Sequence, residues 1–120
     1  MEIEGQIIND IIVKPSEINA NLYSKVFICF DEFILLIQAD DSTDELQLKK
    51  LDKVYFNNQK LYEKFKSINA VVGKQIVSFW SCKNQKGYFD CFCIGLDEFI
   101  PTIIFTSIVS HITIRLTISS

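Results

Sequence analysis

Arginine, histidine, glycine and proline are all scarce in this 120-residue chain, which holds one Arg (Arg115), one His (His111), four Gly and two Pro. Each shortage excludes something. A single guanidinium poorly supplies the bidentate forks that read phosphate or guanine. A formal net charge of −3 removes the basic face that a general nucleic-acid binder needs. No nucleic acid is therefore expected as a direct partner. Four glycines leave little material for a phosphate-cradling loop, and G-x-G-x-x-G, the P-loop, H-E-x-x-H and G-x-S-x-G are all missing. The acidic opening Met1-Glu-Ile-Glu lacks the basic n-region of a secretory signal. The longest uncharged stretch, Phe99 to Ile114, carries Pro101, His111 and several Ser and Thr, so it is too short and too polar to cross a bilayer. A cytoplasmic protein with no membrane partner is expected. Its four cysteines, Cys29, Cys82, Cys91 and Cys93, are then reduced thiols.

What is present reads as a single domain spanning residues 1–120. The 48% apolar and 22% charged fractions are globular values, and the length suffices for a core without metals or disulfides. The abundance of Ile, Phe and Lys, residues read from AT-rich codons, points to a bacterial gene. Residues 1–24 fit helix or strand equally well. Val26 to Phe30 and Phe33 to Ile37 are β-rich runs on either side of Asp31-Glu32, a hairpin with an acidic turn. Leu46 to Lys49 alternates like a half-buried strand, although Ser42 and Glu45 also match a helix capping box. Leu61, Phe65 and Ile68 stand at i, i+4 and i+7, with Asn57 or Asn58 ahead and Gly73 behind, which predicts a helix over residues 59–71. Gln75 to Lys83 and Tyr88 to Leu96 flank the turn Asn84 to Gly87. Ile103 to Ile108 and Ile112 to Ile118 are two more β-branched runs. The expected fold class is α+β: an antiparallel meander of five to six strands with one or two helices packed on one face.

Chemistry is sparsely supplied. If Asn84 pairs with Gly87, Trp80 lies opposite Cys91 and Cys82 opposite Phe89, and Trp80, Cys82, Cys91 and Cys93 share one sheet face. Three thiolates plus His111 could bind zinc in principle, but Cys91-Phe-Cys93 is not a C-x₂-C knuckle. The cysteines are read as small apolar strand residues, and no metal or cofactor is expected. The Asp40 to Glu45 segment fails the EF-hand pattern in both registers. His111 has no cysteine beside it in sequence, so a Cys–His pair is unsupported, and no enzyme is expected.

Charge is distributed unevenly. Residues 1–48 hold ten acids and two lysines, and residues 49–86 nine lysines and two acids. Six of the acids, Asp31, Glu32, Asp40, Asp41, Asp44 and Glu45, fall in predicted loops with no base among them. Acidic loops of this kind focus a field that steers a basic partner. Asp97 and Glu98 are second choices for contact. The lysines of 49–86 are read as the wet face of the predicted helix.

The stretch Gly73-Lys-Gln-Ile, Trp80 and Asn84-Gln-Lys-Gly-Tyr-Phe-Asp90 resembles a small bacterial family of unknown function, as does the segment Asp40 to Leu46. That likeness covers roughly residues 25–118. In type rather than in motif, the chain also resembles the immunity proteins of contact-dependent growth inhibition and related polymorphic toxin systems. The second resemblance implies a non-enzymatic protein that binds a cognate toxin domain, typically a basic nuclease, and covers its active site. It assigns no binding residue. The rival expectation is a self-associating structural module that forms a homodimer through Ile103 to Val109 and Ile112 to Ile118.

Overall fold

A computed structural model describes residues 2–19, 21–52 and 62–117. It is built almost wholly of antiparallel strands: β1 (Asp10–Pro15), β2 (Tyr23–Cys29), β3 (Ile34–Ala39), β4 (Leu46–Leu51), β5 (Glu63–Lys64), β6 (Ile76–Lys83), β7 (Phe89–Leu96), β8 (Ile103–Ile108) and β9 (His111–Leu116). The strand order is β4-β3-β2-β9-β8-β7-β6, and β1 lies against both β2 and β5. Two meanders, β1 to β4 and β6 to β9, meet where Tyr23 pairs with Ile112. A second joint is the isolated bridge between Ile7 and Gln75. The sheet therefore curls into a half-barrel and covers its own apolar face.

The expected α+β class is overturned. Among the described residues the helical content is one 3₁₀ turn, Ile68–Ala70. The described part of the predicted 59–71 helix is instead strand β5 followed by this turn; residues 59–61 lie outside the described residues. The physical reason is a stronger claim on the backbone. Glu63 and Lys64 pair with Val13 and Ile12 of β1, and the Phe65 amide donates to the Ile11 carbonyl. Phe65 still buries its ring, against Tyr23, so its apolar spacing reflects a core contact rather than a helical stripe.

The inner faces of both meanders make the core. Ile11, Val26, Ile28, Leu35 and Ile37 from one side meet Phe92, Ile94, Ile103, Phe105 and Ile112 from the other. Phe92 is the centre of an aromatic group with Phe79, Phe89 and Phe105. The outer face of β1 to β3 carries a smaller cluster of Phe27, Ile34 and Leu36, joined by Tyr62. Strands apolar on both faces read as continuous runs, which is how Phe27 to Phe30 and Phe33 to Ile37 look in sequence.

The runs predicted as strands at 26–37, 46–49, 75–96 and 103–108 are found, and the run predicted over 112–118 is strand to Leu116, Ile118 lying outside the described residues; β1 falls in the segment that read either way. One register shifts. A bulge between Cys82 and Lys83 places Cys82 opposite Cys91 and Trp80 opposite Cys93, not Trp80 opposite Cys91. Strand β8 is paired on both sides, so the run proposed as a homodimer edge is interior. No helix among the described residues is long and apolar enough to cross a membrane.

Candidate functional site

Antiparallel topology divides the eight predicted acids between opposite ends of the sheet. Asp31 and Glu32 sit in the β2–β3 turn, and Asp97 and Glu98 follow β7 at the same end. Asp40, Asp41, Asp44 and Glu45 lie in the β3–β4 turn at the other end. At the first end, Asp31 accepts a hydrogen bond from Asn9 Nδ2 at 2.6 Å, and Asp97 accepts one from the Gln75 amide at 3.0 Å. Both carboxylates hold local structure. Glu32 and Glu98 are exposed.

The second end is a built surface. Ile108 pairs with His111, so Val109 and Ser110 form a two-residue hairpin turn. Both have positive φ, 49° and 64°. Such turns favour Asn-Gly, and a β-branched Val there is strained. The strain is held from across the fold. One carboxylate oxygen of Asp44 accepts from the Ser110 amide at 2.6 Å, and the other accepts from the Val109 amide at 3.2 Å. Asp44 itself has φ 62°. The Ser110 hydroxyl reaches the Asp41 carbonyl at 3.4 Å. Glu45 accepts from the Phe89 amide at 3.2 Å, which ties the same loop to the start of β7. The result displays Val109, 78% exposed, beside Ile108 and the acids.

Asp40 organises the loop from within. It accepts from the Ser42 hydroxyl and amide, the Thr43 amide and Gln47 Nε2. The Ser42 hydroxyl bond, then the backbone bonds, hold its carboxyl below the usual carboxylate range. All these partners are neutral. No Lys or Arg among the described residues pairs with Asp40, Asp41, Asp44 or Glu45; Asp41 is exposed, and the other three are half-buried with neutral hydrogen-bond donors only. The sequence marks the exposed apolar residues Ile108 and Val109 only as the end of a supposed homodimer edge, not as part of an acidic docking surface. The available signal was the short gap between two β-branched runs, since tight hairpin turns need at least one residue at positive φ whatever side chain occupies it.

His111 adjoins this surface. Its Nδ1 lies 2.9 Å from the Val109 carbonyl, which can only accept, so Nδ1 carries the proton. With Lys14, Ser16, Ile18 and Ser24 it lines a shallow groove of about 250 Å³. The Ser24 hydroxyl bonds the Lys14 carbonyl, and Ser16 accepts from the Ile18 amide. No base–nucleophile hydrogen bond forms here among the described residues.

The cysteines are placed elsewhere. Cys29 stands opposite Asp10 in the β1–β2 ladder, and burial, followed by the Asp10 charge, pushes its thiol up to about 12. Cys82, Cys91 and Cys93 do share the outer face of β6–β7, with their sulfurs all within 4.8 Å of one another. His111 is not in that group.

A family model described as "Family of unknown function (DUF6334)" matches residues 1–119. No curated protein and no solved structure matches the chain.

Proposed function

The chain belongs to this family of unknown function, and we propose that it is a non-catalytic protein-binding module whose Val109 end docks a basic partner. The observation that supports this reading is the Asp44 clamp on Val109 and Ser110. It fixes an exposed apolar anchor in a strained conformation amid uncompensated acids. An apolar centre with a polar rim is the anatomy of protein interfaces, and the acids steer encounter. The type of partner is a basic toxin domain, which the module would neutralise in the cytoplasm as an immunity protein by occupying its cationic cleft.

The test starts with a tagged chain used as bait in its native host. Recovery of a toxin fragment at equal stoichiometry, whose activity the chain abolishes, is the expected result. Val109→Asp and Asp41→Lys then weaken that association at least about tenfold, with Asp41→Lys acting mainly on the association rate. Glu32→Lys, at the opposite end, leaves the affinity unchanged. Equal loss with all three variants would remove the Val109 end from the interface.

One observation favours a second reading, self-association. Phe99 and Ile100, 79% and 57% exposed, project from the loop after β7. A dimer that Phe99→Ser converts to monomer, measured by sizing with light scattering, would support it in place of the first.

A further inference from the structure

Three of the four thiols converge although nothing in the proposed docking surface uses them. Cys82 and Cys91 are directly opposed across the β6–β7 ladder, and Cys93 follows two residues later on the same face. Side chains two apart on a strand stand roughly 7 Å apart at their roots. Here the Cys91 and Cys93 sulfurs lean together to 3.8 Å. We propose that Cys82, Cys91 and Cys93 bind one thiophilic d¹⁰ cation, Zn(II) or Cu(I), as thiolates.

Geometry fits such an ion. A zinc–thiolate bond of about 2.3 Å in a tetrahedron separates two sulfurs by about 3.8 Å. The Cys91–Cys93 separation already has that value, and the widest pair in the group needs to close by no more than about 1 Å. The sulfurs grade from buried Cys93 through half-buried Cys91 to exposed Cys82, which gives the ion an entry path from solvent. Thiolate sulfur selects soft cations over Mg²⁺ or Ca²⁺. No fourth His, Cys, Asp or Glu among the described residues joins the group. The site is therefore three-coordinate from the protein, which suits trigonal Cu(I), or tetrahedral Zn(II) completed by water or an outside ligand.

Burial, then the Cys91 charge, pushes Cys93 up to about 12 and raises Cys82 in the same way. On binding, each sulfur loses its proton to solvent, a metal–sulfur bond forms and water leaves the ion, with no change in oxidation state. With three protons leaving for one ion bound, apparent affinity rises with pH, by up to about a thousandfold per pH unit.

The experiment uses the whole chain, metal-free, under a phosphine reductant. Zn(II) and Cu(I) are titrated separately against chromophoric chelators, and each cysteine's alkylation is followed by mass spectrometry. The expected result is one equivalent bound of at least one of the two metals. Alkylation of Cys82 and Cys91 slows at least tenfold, and Cys29 serves as the internal reference. The arm that binds identifies the ion. Cys82→Ser, at an exposed position that leaves the circular dichroism unchanged, weakens binding about a hundredfold, and Cys29→Ser leaves it intact. Alkylation unaffected by either metal, or equal binding by the two variants, would overturn the proposal.

Discussion

Val109 is the residue at which stability and display pull apart. A β-branched side chain at φ 49° costs the folded state about 1–2 kcal/mol relative to an ordinary strand conformation. Glycine has no such penalty, though it loses more entropy on folding. Val109→Gly should therefore stabilise the chain by up to about 1 kcal/mol in urea denaturation, because the turn keeps its Asp44 hydrogen bonds and sheds the strain. The same variant should lose partner affinity, since the exposed anchor is gone. A stabilised variant that binds as well as the wild type would show the strain to be incidental. Sequence alone displays the charge of Asp44 but not its role, because the amides it clamps lie 65 and 66 residues away in the chain.

At the scale of elements, Gly95 shows how tightly the loop after β7 folds back on its own strand. A Cβ at Gly95 would stand 2.6 Å from the Glu98 carbonyl oxygen, 2.9 Å from that of Ile100 and 2.5 Å from Ser78 Oγ. Two of these are backbone atoms, which cannot rotate away. Gly95→Ala should destabilise by about 3 kcal/mol or more, read from the urea midpoint. Gly73→Ala, where φ is +83° and nothing lies within 4 Å, should cost only the roughly 1–2 kcal/mol of its backbone conformation. The strands around these glycines were legible because β-branched runs and polar turns bound them plainly. The expected helix fails because Leu61, Phe65 and Ile68 keep helical spacing ahead of Gly73, while the backbone at 63–65 serves β1 and that at 68–70 a 3₁₀ turn. The shared face of Trp80 and three cysteines was legible from alternation, which survives a two-residue register error. The bulge that set the true register left no sequence mark. Nor did alternation reveal that the three sulfurs converge, since that depends on side-chain rotamers.

For the whole molecule, the deciding feature is the N-terminal segment that joins the two meanders on the side away from the Tyr23–Ile112 pair. The Gly5 amide donates to the Ile76 carbonyl, the Ile76 amide to Gln6, the Ile8 amide to Lys74 and the Gly73 amide to Ile8. The Asn9 amide then donates to Cys29 of β2. Ile3 and Ile8 of this strap are fully buried in the common core. A sheet that covers itself, with no helix layer among the described residues, depends on such a closure to keep water from its inner face. Ile8→Ala should therefore lower stability by about 2–5 kcal/mol. Because one core serves both meanders, the loss should be global. Trp80, the single tryptophan, stands on β6 in the second meander and reports on it by fluorescence, whereas far-ultraviolet circular dichroism follows all the strands. In Ile8→Ala both signals should move to the same lower urea midpoint. A Trp80 transition left at the wild-type midpoint, with only the circular dichroism shifted, would mean that the strap stabilises the first meander alone and that the half-barrel unfolds in two parts.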